Sequence, residues 1–134
     1  MSLSLLREFC AENFTDVPAA IEAGADRIEL CDNLAVGGTT PSAGVIGDAT
    51  VYAHERGARV MTMIRPRGGD FVYGPAELQM MQSDIETACR LGTDGIVFGC
   101  LERREHGFWL DLSAIEALVA RVRWMQDQRD WSGV

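Results

Sequence analysis

The chain has 134 residues, 47% of them hydrophobic, which suits one packed domain rather than a disordered segment. A net charge of −8, a pI near 4.6 and the complete lack of lysine argue against nucleic acid or an acidic membrane surface as partner, because phosphates are held by clustered cations. No apolar run reaches the roughly 18 residues of a bilayer span and the start lacks a secretory pattern, so the expected location is the cytoplasm.

In chain order, the first predicted strand ends on Glu8-Phe9-Cys10 and the second on Glu29-Leu30-Cys31. Residues two apart on a strand share a face, so each triplet aims a carboxylate and a thiol the same way. If the two strands are neighbours, all four groups converge on one small pocket. Between these strands a helix is expected from about Asn13 or Thr15 to Gly24, and a second follows Thr40-Pro41-Ser42 and ends at Gly57. The third strand carries Met61, Met63, Arg65 and Arg67 on one face, with Pro66 marking its end. A third helix starts at Gly74-Pro75 and shows the stripe Leu78, Met81, Ile85 and Cys89. After a fourth strand, Asp94 to Gly99, the run Glu102-Arg103-Arg104-Glu105 reads as a solvated loop. Ser113 and Glu116 form a capping box opening the fourth helix, whose apolar face is Ile115, Leu118, Val119 and Val122.

The punctuation repeats. Gly24, Gly57 and Gly92 each close a helix and precede a strand, 33 and 35 residues apart, about the length of a βα unit. Strand and helix alternating without a hairpin dipeptide means parallel pairing through right-handed crossovers. The expected class is therefore α/β, and polar residues inside a parallel sheet suit a TIM (β/α)8-type barrel, whose C-terminal strand ends build the active site. At about 250 residues for such a barrel, this chain carries the first four βα units. A doubly wound sheet would also place ligands at these strand ends.

Two soft sulfurs facing one point suit copper(I), which marks Cys10 and Cys31 as metal ligands; the plain alternative is a pair of reduced core cysteines. Neighbouring Glu8 and Glu29 cut both ways, since hard carboxylates favour other metals or acid/base work. The segment Arg65-Pro66-Arg67-Gly68-Gly69 suits a small anion, or else Arg65 neutralises Glu8 or Glu29. Cys89 reads as core filler, and Cys100 as a less favoured third sulfur. His54 and His106 receive no role.

Taken together, Arg7-Glu8-Phe9-Cys10, Gly24 to Cys31, Gly37-Gly38-Thr39-Thr40-Pro41-Ser42, Ile64 to Phe71 and Asp94 to Gly99 resemble the copper homeostasis protein CutC family. The resemblance covers residues 5 to 120 or so. It implies a TIM-type barrel, a cytoplasmic location and copper(I) binding, with the cysteines matching Cys10 and Cys31 as the ligands. The family's fifth strand, with its Thr-Phe-His-Arg-Ala-Phe-Asp motif, and three further βα units have no match here. Residues 1–122 are thus expected to form the N-terminal half of a barrel and 123–134 a non-matching tail. Two functions stay open on this reading. One is a copper(I)-binding protein using Cys10 and Cys31. The other is an enzyme on a small anionic metabolite, with Arg65 and Arg67 clamping the anion and Glu8 or Glu29 as acid or base. The open edges of a half barrel leave a homodimer as an expected partner state.

Overall fold

The computed structural model describes residues 4–132, with side chains to Arg129. Four parallel strands stand side by side in chain order: β1 (Glu8–Glu12), β2 (Arg27–Cys31), β3 (Arg59–Met63) and β4 (Gly95–Val97). Between them run α1 (Val17–Glu22), α2 (Ala43–His54) and α3 (Pro75–Arg90). Strands β5 (Leu101–Arg104) and β6 (Gly107–Leu110) then form an antiparallel hairpin, and α4 (Leu112–Ser132) follows. The α/β class and the four βα units are as expected. Among the described residues the sheet does not close into a barrel, and β1 and β4 each pair on one side only.

The three repeated glycines explain why the units repeat. Gly24, Gly57 and Gly92 all have positive φ, between 75° and 108°, the left-handed conformation that ends a helix and that side chains with a Cβ resist. Two residues after Gly24 and Gly92, an aspartate receives a strand N–H: Asp26 Oδ2 accepts from Arg7 N at 2.9 Å, and Asp94 Oδ2 from Val60 N at 2.8 Å. Each helix is thereby stopped and its following strand tied to the preceding one.

Alternation along the strands divides the sheet into two faces. Ile28, Leu30 and Val60 are wholly buried against Ile46, Ala49, Ala53, Met81, Ile85 and Ala88 of the helices. Thr62 shares that face and stays satisfied, its hydroxyl 2.8 Å from that of Thr93, which also donates to the Val60 carbonyl. The opposite face carries Cys10, Glu29, Met61 and Met63, which are half-buried or exposed. Ser42 caps α2 by accepting from Val45 N, and Pro75 opens α3 while Glu77 accepts from Gly74 N.

Two local expectations are corrected. Residues 101–110 form a hairpin rather than a solvated loop, closed through Glu105-His106 with Gly107 at φ 135°. The cap of α4 is Asp111, whose Oδ1 accepts from Ala114 N at 3.0 Å, so the helix starts at Leu112, ahead of Ser113. The helix also runs on past residue 122 to Ser132, with Met125 buried.

Candidate metal centre

Parallel register decides which groups of β1 and β2 meet. Cys10 lies opposite Glu29, Glu12 opposite Cys31, and Glu8 opposite Arg27. The two thiols are therefore diagonal neighbours on one face, with Sγ atoms 3.9 Å apart. Glu29 stands between them, its Oε1 3.9 Å from Cys31 Sγ, and the ligand atoms of Cys10, Glu29 and Cys31 all lie within 4.8 Å of one another. This is the convergence expected of Cys10, Cys31 and Glu29.

The two thiols differ sharply in surroundings. Cys10 is exposed on edge strand β1, whereas Cys31 is buried, with the Gly37-Gly38 loop packed under it. A Cβ on Gly38 would come within 3.4 Å of Cys31 Sγ. Burial first, then the neighbouring Cys10 and the charge of Glu29, pushes the Cys31 thiol up to about 12. It holds its proton at neutral pH until something replaces it. Any metal bound there would have to displace that proton, since metal binding to a thiol releases one.

Glu8 leaves the group. It begins β1 instead of lying at its C-terminal end, and its carboxylate pairs with the Arg27 guanidinium. A first strand ending at Cys10 would set Glu8 near its C-terminal end, but the strand runs on to Glu12. Glu12 shares the Cys10 face two residues further along but is not among the groups gathered around the two thiols. The Glu12 carboxylate accepts from Leu34 N at 2.7 Å and so fixes the turn after β2. The period-two series Glu8, Cys10, Glu12 carried that signal.

Arg65 and Arg67 are also placed differently from expectation. Strand β3 ends at Met63, so both lie in the following loop. Arg65 is buried with 5% exposure, and its guanidinium donates to the carbonyls of Val36, Gly38 and Gly69 at 2.6, 2.8 and 2.8 Å. It neutralises neither Glu8 nor Glu29. Arg67 pairs with Glu77 at 2.5 Å and with Asp70 at 3.3 Å. The arginines and the acid/base pair of the enzyme reading are thus apart from one another: Arg65 ties two loops together, Arg67 and Glu8 are in ion pairs, and only Glu29 faces the thiols. A cavity of about 700 Å³ lies on the helical side between α2 and α3, lined by Thr40, Ser42, Arg65, Arg67 and Asp84, and neither sulfur lines it.

Cys89 stays half-buried on α3 among core residues, as expected. Cys100 is buried, its thiol pushed up to about 11 by burial and then by Asp111, and it is not among the groups gathered around Cys10 and Cys31. His54 Nε2 lies 2.7 Å from Asp94 Oδ2 and so braces the α2–β4 connection. Among the described residues no helix is long and apolar enough to cross a membrane.

Parallel βα units with two thiols and a carboxylate on one sheet face define an α/β protein carrying a candidate soft-metal site. Residues 5–125 match the CutC family, and the chain belongs to it. It is 57% identical over 122 residues to a family protein CutC of Enterococcus faecalis, covering 91% of this chain and 57% of that one. It is 46% identical over 118 residues to the human copper homeostasis protein cutC homolog, covering 88% of this chain and 41% of the relative. Among solved structures, a CutC of Streptococcus agalactiae named for copper homeostasis superposes with a TM-score of 0.83 at 51% identity, over 90% of this chain and 56% of that one. The chain spans about half the length of the relatives it matches.

Proposed function

We propose that this chain handles copper in the reducing cytoplasm by binding copper(I) through Cys10 and Cys31. The observation that carries the reading is the 3.9 Å approach of the two Sγ atoms on neighbouring strands, one exposed for entry and one buried for retention. Thiolate sulfur is the donor copper(I) prefers, and free thiols persist where copper is held in its reduced state. Glu29 lies against both sulfurs, and its negative charge favours a cation there. The family's name for copper homeostasis agrees with this reading.

The test is copper(I) uptake under anaerobic, reducing conditions by the wild-type chain and by a Cys10→Ser, Cys31→Ser double variant. Uptake of one equivalent that the double change abolishes is the expected result. Equal uptake by both chains would remove the cysteines as ligands.

A further inference from the structure

The separation of the two sulfurs lets one ion touch both and bears on whether a further donor has room. With a metal–sulfur bond of about 2.3 Å, two sulfurs in a linear arrangement stand about 4.6 Å apart. Here they stand 3.9 Å apart, which at the same bond length of about 2.3 Å corresponds to a sulfur–metal–sulfur angle of roughly 116°. That is well short of a linear pair, so a third donor on the same face has room to approach an ion held by both sulfurs.

The rows across the sheet supply the candidates. Cys10, Glu29, Met61 and Gly95 form one row; the row above contains Glu12 and Cys31 on β1 and β2, and Met63 and Val97 on β3 and β4. All project to the same face, and two thioethers therefore accompany the two thiols. Met61 is committed elsewhere. A Cβ on Gly95 would lie 2.2 Å from its terminal methyl and 2.7 Å from its sulfur, so Met61 lies over β4, into space left by a glycine. Met63 has no such outlet, because its neighbour on β4 is Val97, which carries a side chain of its own. On its other side the next step of the β2–β3 ladder beyond Leu30 and Thr62 brings Cys31. Strands in register lie about 4.8 Å apart, and a thioether on three rotatable bonds spans that gap.

We propose that Met63 Sδ is the third ligand of the copper(I) site, making it an all-sulfur trigonal centre with Cys10 and Cys31, while Glu29 supplies charge from outside the coordination sphere. The proposal rests on the two-cysteine reading above. A thioether is soft and neutral, so it completes the sphere of copper(I) better than a hard carboxylate does. It also needs no proton removed.

The experiment is copper(I) titration against a chromophoric competitor, with X-ray absorption counting the sulfurs on the loaded protein, for wild type, Met63→Leu, Met61→Leu and Glu29→Gln. Leucine conserves volume, so the fold is kept. The expected wild-type count is three sulfurs. Met63→Leu lowers affinity by about tenfold or more, since even outer-sphere changes at metal sites typically cost 10–100-fold, and lowers the count to two. Met61→Leu leaves both unchanged. Two sulfurs and one oxygen in the wild type, or a Met63→Leu chain with unaltered affinity and sulfur count, overturns the Met63 assignment and leaves the two-cysteine site standing. A wild-type chain that takes up no copper(I) overturns both.

Discussion

Replacing Arg65 by lysine separates a structural arginine from an anion clamp. The Arg65 guanidinium spans two loops, reaching Val36 and Gly38 on one side and Gly69 on the other, while its ring-facing side lies 4.8 Å from the centre of Phe71. Hydrogen bonds from a charged donor contribute roughly 1.5–3 kcal/mol each, and a buried carbonyl left unpaired costs about as much. Lysine ends in one nitrogen on a flexible stem and cannot reproduce the planar fork, so at least two of the three bonds go. Even at the low end the loss is about 3 kcal/mol, which for a chain of this size lowers the melting midpoint by roughly 10 °C or more. Circular dichroism melts of wild type, Arg65→Lys and Arg7→Lys measure it. Arg7, 67% exposed and paired with Asp26 at the surface, is the comparison expected to move little. A midpoint for Arg65→Lys within a couple of degrees of wild type would refute the structural role and return Arg65 to the pool of ligand-binding candidates.

Three further outcomes are expected. Because the Cys31 thiol is pushed up to about 12, the proposed copper(I) ligation there would displace its proton throughout the neutral range, so apparent affinity should rise about tenfold per pH unit from that proton alone; an affinity flat from about pH 6 to 8 would refute this. Brief iodoacetamide treatment at neutral pH labels exposed Cys10 well before buried Cys31, as read by peptide mass mapping, since the thiolate is the reacting form; equal rates would contradict the described asymmetry. The unpaired edges of β1 and β4 are proposed to meet those of a second copy, so light scattering should give twice the chain mass of 14.7 kDa, and a clean monomer would exclude paired arcs.

What the sequence disclosed and what it hid follow from how each interaction is encoded. Gly24, Gly57 and Gly92 announced the βα units because a left-handed helix end leaves a residue-type signature. Cys10 and Cys31 were legible because shared faces follow from a period of two and need no exact strand limits. Glu8 was misjudged because the choice between the two ends of a strand does depend on those limits, and an end at Cys10 reads as naturally as one at Glu12. The β5–β6 hairpin went unseen since Glu105-His106 offers none of the asparagine–glycine chemistry that usually marks a two-residue turn. Arg65 shows the deepest limit. Its partners are backbone carbonyls, which every residue possesses, so an arginine that fastens loops and one that awaits an anion are written alike; only the paths of the Gly37-Gly38 and Gly68-Gly69 segments around its guanidinium tell them apart. The same reasoning explains why no ligand role was expected of Met63. A methionine on a strand carries no mark of its neighbours; its proposed part at the site comes from taking the β2–β3 register one step beyond Leu30 and Thr62, and from the bare α-carbon of Gly95 that accounts for the other thioether.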